Sequence, residues 1–177
     1  LMNIHAVTGG AACHWGGPAA FAEIMSAAHA IMFSTEGRQW HESYNFINDA
    51  GHAENGIYAL RANYGFDGMS YESLRGFRGI KSKLTGHGES HLNPEGILSS
   101  NGPLGAGLPQ AQGLALGDKV AGNDRVTICT ISDGGMIDGE ECPPPMWIFN
   151  CIGGNFNPWD PTDDIIQNEI CLLYTSP

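Results

Sequence analysis

Apolar residues fall at helical spacing along three stretches of this chain and in an unbroken run along a fourth. Phe21, Ile24, Met25, Ala28, Ile31 and Met32 recur every three or four positions, the one-sided stripe of a helix packed against a core. Pro18 suits the first turn of that helix, and the glycine-rich stretch from Gly9 to Gly17 ahead of it reads as a flexible lead-in. After a polar connection over 34–43, Tyr44–Ile47 fits a short strand. A second helix is expected from about Ala53 to Asn63, with Ile57 and Leu60 inward. Ser70 is placed to N-cap a short helix carrying Leu74 and Phe77. Residues 79–105 show no period, and a third helix is expected over about Ala106–Val120, with Leu108, Ala111, Leu114 and Ala115 inward. Val126–Ile131 lacks polar alternation, as a strand buried on both faces of a parallel sheet does. Strand, helix, helix, loop, helix, strand is the order of an α/β domain, so the predicted fold is a parallel sheet flanked by helices.

Past Glu141 the pattern changes. Cys142-Pro143-Pro144-Pro145 forbids a helix directly after the acidic turn, where an α/β domain calls for one. No helical or strand period continues to the final CLLYTSP, which resembles translated adaptor sequence. The expected division is a partial domain over 1–141 and an atypical tail over 142–177, frame-shifted or disordered. The opening residue Leu1 looks cut rather than natural.

The candidate chemistry lies where apolar segments end. Val126–Ile131 runs into Ser132-Asp133-Gly134-Gly135, an acidic turn at the carboxyl end of a strand, where open α/β sheets bind ligands. Asp133 there suits a hard divalent cation, and a cation there suits a phosphate; such a turn is also an ordinary way to leave a strand. His14 sits just ahead of the first helix. His52 stands where the first strand gives way to the second helix, and His87 lies within the irregular segment as Gly86-His87-Gly88. His91 nearby reads as a solvated loop histidine. An irregular stretch as long as 79–105 usually serves a function in a small domain.

Charge and cysteine content narrow the classes. Nineteen acidic against eight basic residues give a net charge of −11, the wrong sign for a nucleic-acid backbone. An anionic small ligand then needs a metal ion or helix N-termini to offset the local charge. The five cysteines form no CxxC pair and have no histidine partner at zinc spacing, which fits reduced thiols. With no secretory signal and no run of about 18 apolar residues, the expectation is a soluble, cytoplasmic protein without a membrane partner.

Four elements in order are more specific than any alone: His14 among glycines before a helix, DAGH ending at His52, LTGH ending at His87 followed by NGPLGAGL, and DGGMIDGE. Together they resemble the amino-terminal, thiamine-diphosphate-binding domain of transketolases, from about Gly10 to Glu141. GPLGAGL after a GH element is the most diagnostic piece, supported by Tyr58, Leu60 and the run Leu74-Arg75-Gly76-Phe77-Arg78.

The resemblance implies a transferase that moves a two-carbon ketol unit between sugar phosphates in the pentose phosphate pathway. Thiamine diphosphate would supply the carbanion chemistry. On that pattern His14, His52 and His87 line the substrate channel as catalytic histidines able to exchange protons near neutral pH. His52, Gly102, Pro103, Leu104, Asp133 and Gly134 contact the cofactor. Asp133 binds Mg²⁺ or Ca²⁺ between carboxylate and diphosphate. The family's second metal ligand is an Asn further along, and Asn155 and Asn157 lie in that window but inside the tail. Ser132 replaces a family glycine, Asp138 replaces a family glutamate, and Pro109 enters a glycine-rich helix start. The pyrimidine-binding domain is absent, so a partner domain or carboxy-terminal subunit must complete the site, and the complete enzyme is expected to be a homo-oligomer, a dimer. The alternatives are a fragment of a 2-oxo acid dehydrogenase E1 component, which shares a GHA…GIYA element, and a truncated chain without catalytic activity.

Overall fold

Strands β1 (Tyr44–Asn48) and β2 (Val126–Ser132) run parallel and in register, pairing Phe46 with Ile128 and Ile47 with Cys129. They form the centre of the computed structural model, which describes residues 1–132 apart from 35, 36 and 38, together with 135, 149–151 and 168–173. Side chains alternate across a strand, so each register pair presents one layer to one face of the sheet. Phe46 and Ile128 pack with Phe21, which precedes α3 (Ala22–Phe33), with Met25 and Met32 of that helix and with Ile57 of α5 (Glu54–Tyr64). Ile47, Cys129 and Ile131 pack on the other face against Leu108, Ala111 and Ala115 of α6 (Gly107–Ala121). Both faces of the parallel pair are therefore covered, which is why its strands carry no polar alternation. Burying each of these larger side chains is worth about 1.5–3 kcal/mol.

A third cluster lies on the outer side of α5. Met2 and Ala6 of α1 (Met2–Thr8) pack with Tyr58, Ala62, Leu74, Phe77, Leu84 and Ile97. This cluster anchors the irregular segment, because Leu84 and Ile97 are its only deeply buried apolar side chains among the described residues of 79–105. The backbone is irregular from Phe77 to Ala106, in agreement with the missing period.

Several local expectations are refined. The lead-in ends in a short helix, α2 (Gly16–Ala20), and the polar connection contains α4 (Trp40–Ser43). The turn of α4 is held by a reciprocal capping box between Gln39 and Glu42. Ser70 does accept the N–H of Ser73, at 3.4 Å, but the short helix is a 3-10 turn, Ser73–Gly76. Ile31 was expected inward and is 56% exposed, while His29 is fully buried. The core-facing stripe of α3 is rotated by about one position, because His29 fills the space beside Phe33 and Phe46. Two strands from the tail, β3 (Phe149–Cys151) and β4 (Asn168–Leu173), extend the sheet antiparallel in the order β1-β2-β4-β3. No strand was legible there, and among the described residues the parallel pair β1-β2 is continued by antiparallel strands, so the sheet is mixed. None of the described helices is long and apolar enough to cross a membrane.

His29 makes the fold sensitive to acid. Burial first, and the Arg61 charge second, push its pKa from 6.5 down to about 4, against a smaller opposing effect of the Met25 carbonyl. The unfolded chain takes up a proton near 6.5 while the folded chain resists until about 4, so stability falls as pH drops through that window. The full loss is about 3 kcal/mol. Urea unfolding from pH 7 to pH 4 should show this slope in the wild type and a much flatter one in His29→Leu; parallel slopes would refute the assignment.

At the far end of the sheet, Asp118 on α6 accepts hydrogen bonds from Asn45 (2.6 Å), Asn123 (2.9 Å) and the Arg125 Nε (3.0 Å). Burial alone would raise its pKa, but these donors and the Arg125 charge outweigh it and hold the carboxyl below its ordinary range. This cluster ties the end of α6 to the starts of β1 and β2, opposite the loops described next.

Candidate functional site

The carboxyl end of β1 delivers Asn48, Asp49, Gly51 and His52 to one edge of the sheet, as a parallel strand should. Four segments converge there, and glycines set how closely. A Cβ on Gly51 would stand 2.6 Å from Asn101 Oδ1 and 2.9 Å from the Gly102 nitrogen, so the DAGH turn lies directly on the NGPLG turn. Gly102 has φ +141°, a conformation costly for other residues, and a Cβ there would meet His87 Nδ1 at 2.9 Å. The ring of His52 stacks at a tilt on that of His14, with centroids 5.2 Å apart. Asn3 and Asn55 hold the His14 carbonyl at 3.2 and 3.1 Å.

His14 thus meets His52, and the neighbouring Gly51 meets Gly102, which in turn meets His87, so residues far apart along the chain are gathered at this edge. His14, His87 and Pro103 are exposed, whereas His52, Gly102 and Leu104 are half-buried. Open imidazoles beside a glycine-lined backbone are suited to exchanging protons with a ligand laid along that edge. His91 is exposed and stands 3.6 Å from Glu89, in keeping with a loop histidine.

Beneath these groups runs a buried polar network that the sequence did not announce. Glu54, the first residue of α5, is 1% exposed. Its Oε2 accepts from Asn48 Nδ2 (2.8 Å) and Asn101 Nδ2 (3.0 Å). Asn101 also donates to the Asn48 carbonyl (3.0 Å) and exchanges two bonds with Gly88, whose N–H donates to its Oδ1 at 2.6 Å. Thr130 of β2 donates to Asn48 Oδ1. The network joins both strands, α5, the GHG loop and the NGPLG turn. The buried Arg61 guanidinium, whose pKa burial lowers, is supported by the Glu54 charge and donates to the Gly96 carbonyl. In sequence, Glu54 resembles any first-turn acid and Asn101 any turn asparagine; their role needs the fold to be visible.

Asp49 is the second hidden element. Fully buried, it accepts N–H bonds from Gly105 (3.0 Å) and Gly107 (2.7 Å), while its own N–H donates to the Thr130 carbonyl (2.9 Å). It caps α6 from a distance, where the helix lacks a side-chain cap of its own. Gly135 packs against the same carboxylate. Asp49 therefore connects the DAGH turn, the start of α6 and the turn after β2.

Asp133 and Gly134, the expected metal and cofactor residues of that turn, lie outside the described residues, as do Asp138, Asn155 and Asn157. The turn's far side is described: Gly135 donates to Ser132 Oγ at 3.2 Å. Among the described residues, no three acidic, histidine or cysteine side chains are grouped to share a metal ion.

Comparison with known proteins gives the family and the fold. The family model described as "Transketolase, thiamine diphosphate binding domain" matches residues 1–136. A transketolase of Dictyostelium discoideum is 32% identical over 122 residues, covering 68% of this chain and 18% of that protein. Transketolase 2 of Escherichia coli is 29% identical over 150 residues, covering 78% of this chain and 22% of its own length. Two crystal structures of transketolase mutants from Pichia stipitis, one in complex with fructose-6-phosphate, superpose with TM-score 0.61 at 28% identity. Each covers 77% of this chain and 22% of the solved one. The chain spans about a fifth of the length of the curated relatives it matches. From the convergence of its histidine and glycine turns and from this match, the chain belongs to the transketolase thiamine-diphosphate-binding-domain family.

Proposed function

We propose that this chain is the amino-terminal segment of a transketolase-type enzyme and holds the diphosphate end of thiamine diphosphate with a divalent cation. The observation that carries the reading is the contact of the Gly51 turn, the Gly102 turn and His87, where glycines let the turns of the DAGH and NGPLG motifs pack directly on one another and on the imidazole. Gly102, Pro103 and Leu104 would border the cofactor, His52 would stand beside it, and Asp133 with Gly134 would hold Mg²⁺ or Ca²⁺. Bound there, the cofactor supplies the carbanion chemistry of two-carbon ketol transfer. The chain's own contribution is to orient it and, through His14, His52 and His87, to hold and pass protons at the oxygens of a sugar phosphate. A pyrimidine-binding partner domain, in a homo-oligomeric enzyme of the cytoplasm, would complete the site. The family match and the transketolase relatives favour this over a 2-oxo acid dehydrogenase fragment.

Calorimetry tests the reading. Thiamine diphosphate should bind saturably in the presence of Mg²⁺, the heat should vanish on chelation, and Asp133→Ala should weaken binding about tenfold or more. Absence of heat even with a pyrimidine-binding domain supplied would refute it.

A further inference from the structure

Cysteines that no spacing motif connects fall in one row of the sheet. Cys129 of β2 is the register partner of Cys171 of β4, and Cys171 is in turn the register partner of Cys151 of β3. The three are well separated along the chain, and the pairing of three strands is what aligns them. Opposite residues of an antiparallel pair have Cα atoms about 4.5 or 5.5 Å apart, within the span of about 4.4–6.8 Å that a disulfide bridges.

The phase of the ladders distinguishes the two pairs. In a strand the N–H and C=O of one residue point to one neighbour, and those of the next residue point to the other. The Thr130 carbonyl accepts the Asp49 N–H at 2.9 Å, so the backbone groups of Thr130 face the β1 side and those of Cys129 face β4. Cys129 and Cys171 are therefore a hydrogen-bonded pair, the wider kind, and the backbone groups of Cys171 are directed at β2. Toward β3 the same residue makes a non-hydrogen-bonded pair with Cys151, the narrower kind, with Cα atoms about 4.5 Å apart. A disulfide needs Cβ atoms about 3.5–4.5 Å apart, which the narrower pair matches and the wider does not. Cys129 is moreover 0% exposed, packed with Ile47, Ile131, Leu108 and Ala111, where a dissolved oxidant does not reach it.

We propose that Cys151 and Cys171 close to a cross-strand disulfide under oxidising conditions, a modification site that fastens β3 to β4 while Cys129 stays a thiol. The step is a double exchange with a low-molecular-weight disulfide such as glutathione disulfide. One cysteine thiolate attacks a glutathione sulfur and expels a glutathione thiolate; the other attacks the resulting mixed disulfide and expels the second. One S–S bond forms for one broken, the cysteine pair loses two electrons to the glutathione pair, and the two thiol protons pass to the glutathiones released. In a reducing compartment the pair returns to two thiols, so the bond follows the redox state around the chain. This site is independent of the transketolase-type reading.

The experiment incubates the full chain with glutathione disulfide, counts free thiols and maps the bonds by mass spectrometry without reduction. Chymotrypsin cuts after Trp147 and Trp159, which puts Cys142, Cys151 and Cys171 on separate peptides. Of the five thiols two should disappear, no glutathione should remain attached, and the peptide holding Cys151 should be joined to the one holding Cys171. The bond should form about tenfold or more faster in buffer than in concentrated urea, because the strands hold the two residues together. Cys129→Ala should form it as fully as wild type, and Cys151→Ser should instead retain one glutathione, on Cys171. A bond from Cys129 to Cys171 in either wild type or Cys151→Ser overturns the proposal, as does a bond between two copies of the chain or lasting glutathione adducts on both cysteines. Equal rates in buffer and urea overturn it too, since the register would then direct nothing.

Discussion

Glu54→Ala is expected to cost about 3 kcal/mol of stability, the scale seen when one member of a buried charged network is removed. The variant strands the Nδ2 donors of Asn48 and Asn101 that converge on Oε2, and it leaves the buried Arg61 without the carboxylate that supports its charge. Glu54→Gln keeps the shape and one acceptor, so its loss should be nearer 1–2 kcal/mol. Urea unfolding measures both. An alanine variant within about 0.5 kcal/mol of wild type would mean that water replaces the carboxylate without penalty, and the network would then be incidental.

The second large effect falls on Asp49. In Asp49→Asn the side-chain oxygen can still take one N–H, but the amide group then faces the other donor, Gly105 or Gly107, with no lone pair to offer. An unmatched buried donor and a weakened helix cap together cost about 2–3 kcal/mol. Amide exchange gives a local reading: the Gly105 and Gly107 N–H groups should lose protection beyond the global change. Protection that falls evenly across the chain would count against a specific role for Asp49.

The parts of the fold that were legible owe it to periodicity. Val126–Ile131 reads as a doubly covered strand because both its faces are covered, and Ile57, Leu108 and Ala111 sit on the sides their spacing assigned. Helix α1 escaped notice because seven residues with only Met2 and Ala6 buried give too short a stripe. Ile31 is exposed against its spacing because the buried face of the helix includes His29, whose ring packs beside Phe33 and Phe46. At the candidate site, motifs singled out His14, His52, His87 and Gly102, and the fold sets His14 against His52 and Gly102 against His87. Asp49, Glu54 and Asn101, which face inward and hold those groups, are ordinary residues in ordinary turns until contacts across 47 to 58 positions are known.

One consequence of the irregular segment concerns time rather than place. From Phe77 to Ala106 the chain has no ladder of regular backbone bonds, and it is fastened through Phe77, Leu84 and Ile97 in one cluster, the Arg61 bond to the Gly96 carbonyl, the Asn101 bridge to Glu54 and Asn48, and the Gly105 bond to Asp49. Fastenings shared in this way, with no regular ladder between them, release together, so the segment should open and close as one cooperative unit ahead of global unfolding. His87 and Gly102 both ride on it. Any ligand that needs them meets a binding-competent population smaller than the folded population, and its apparent affinity is reduced by that fraction.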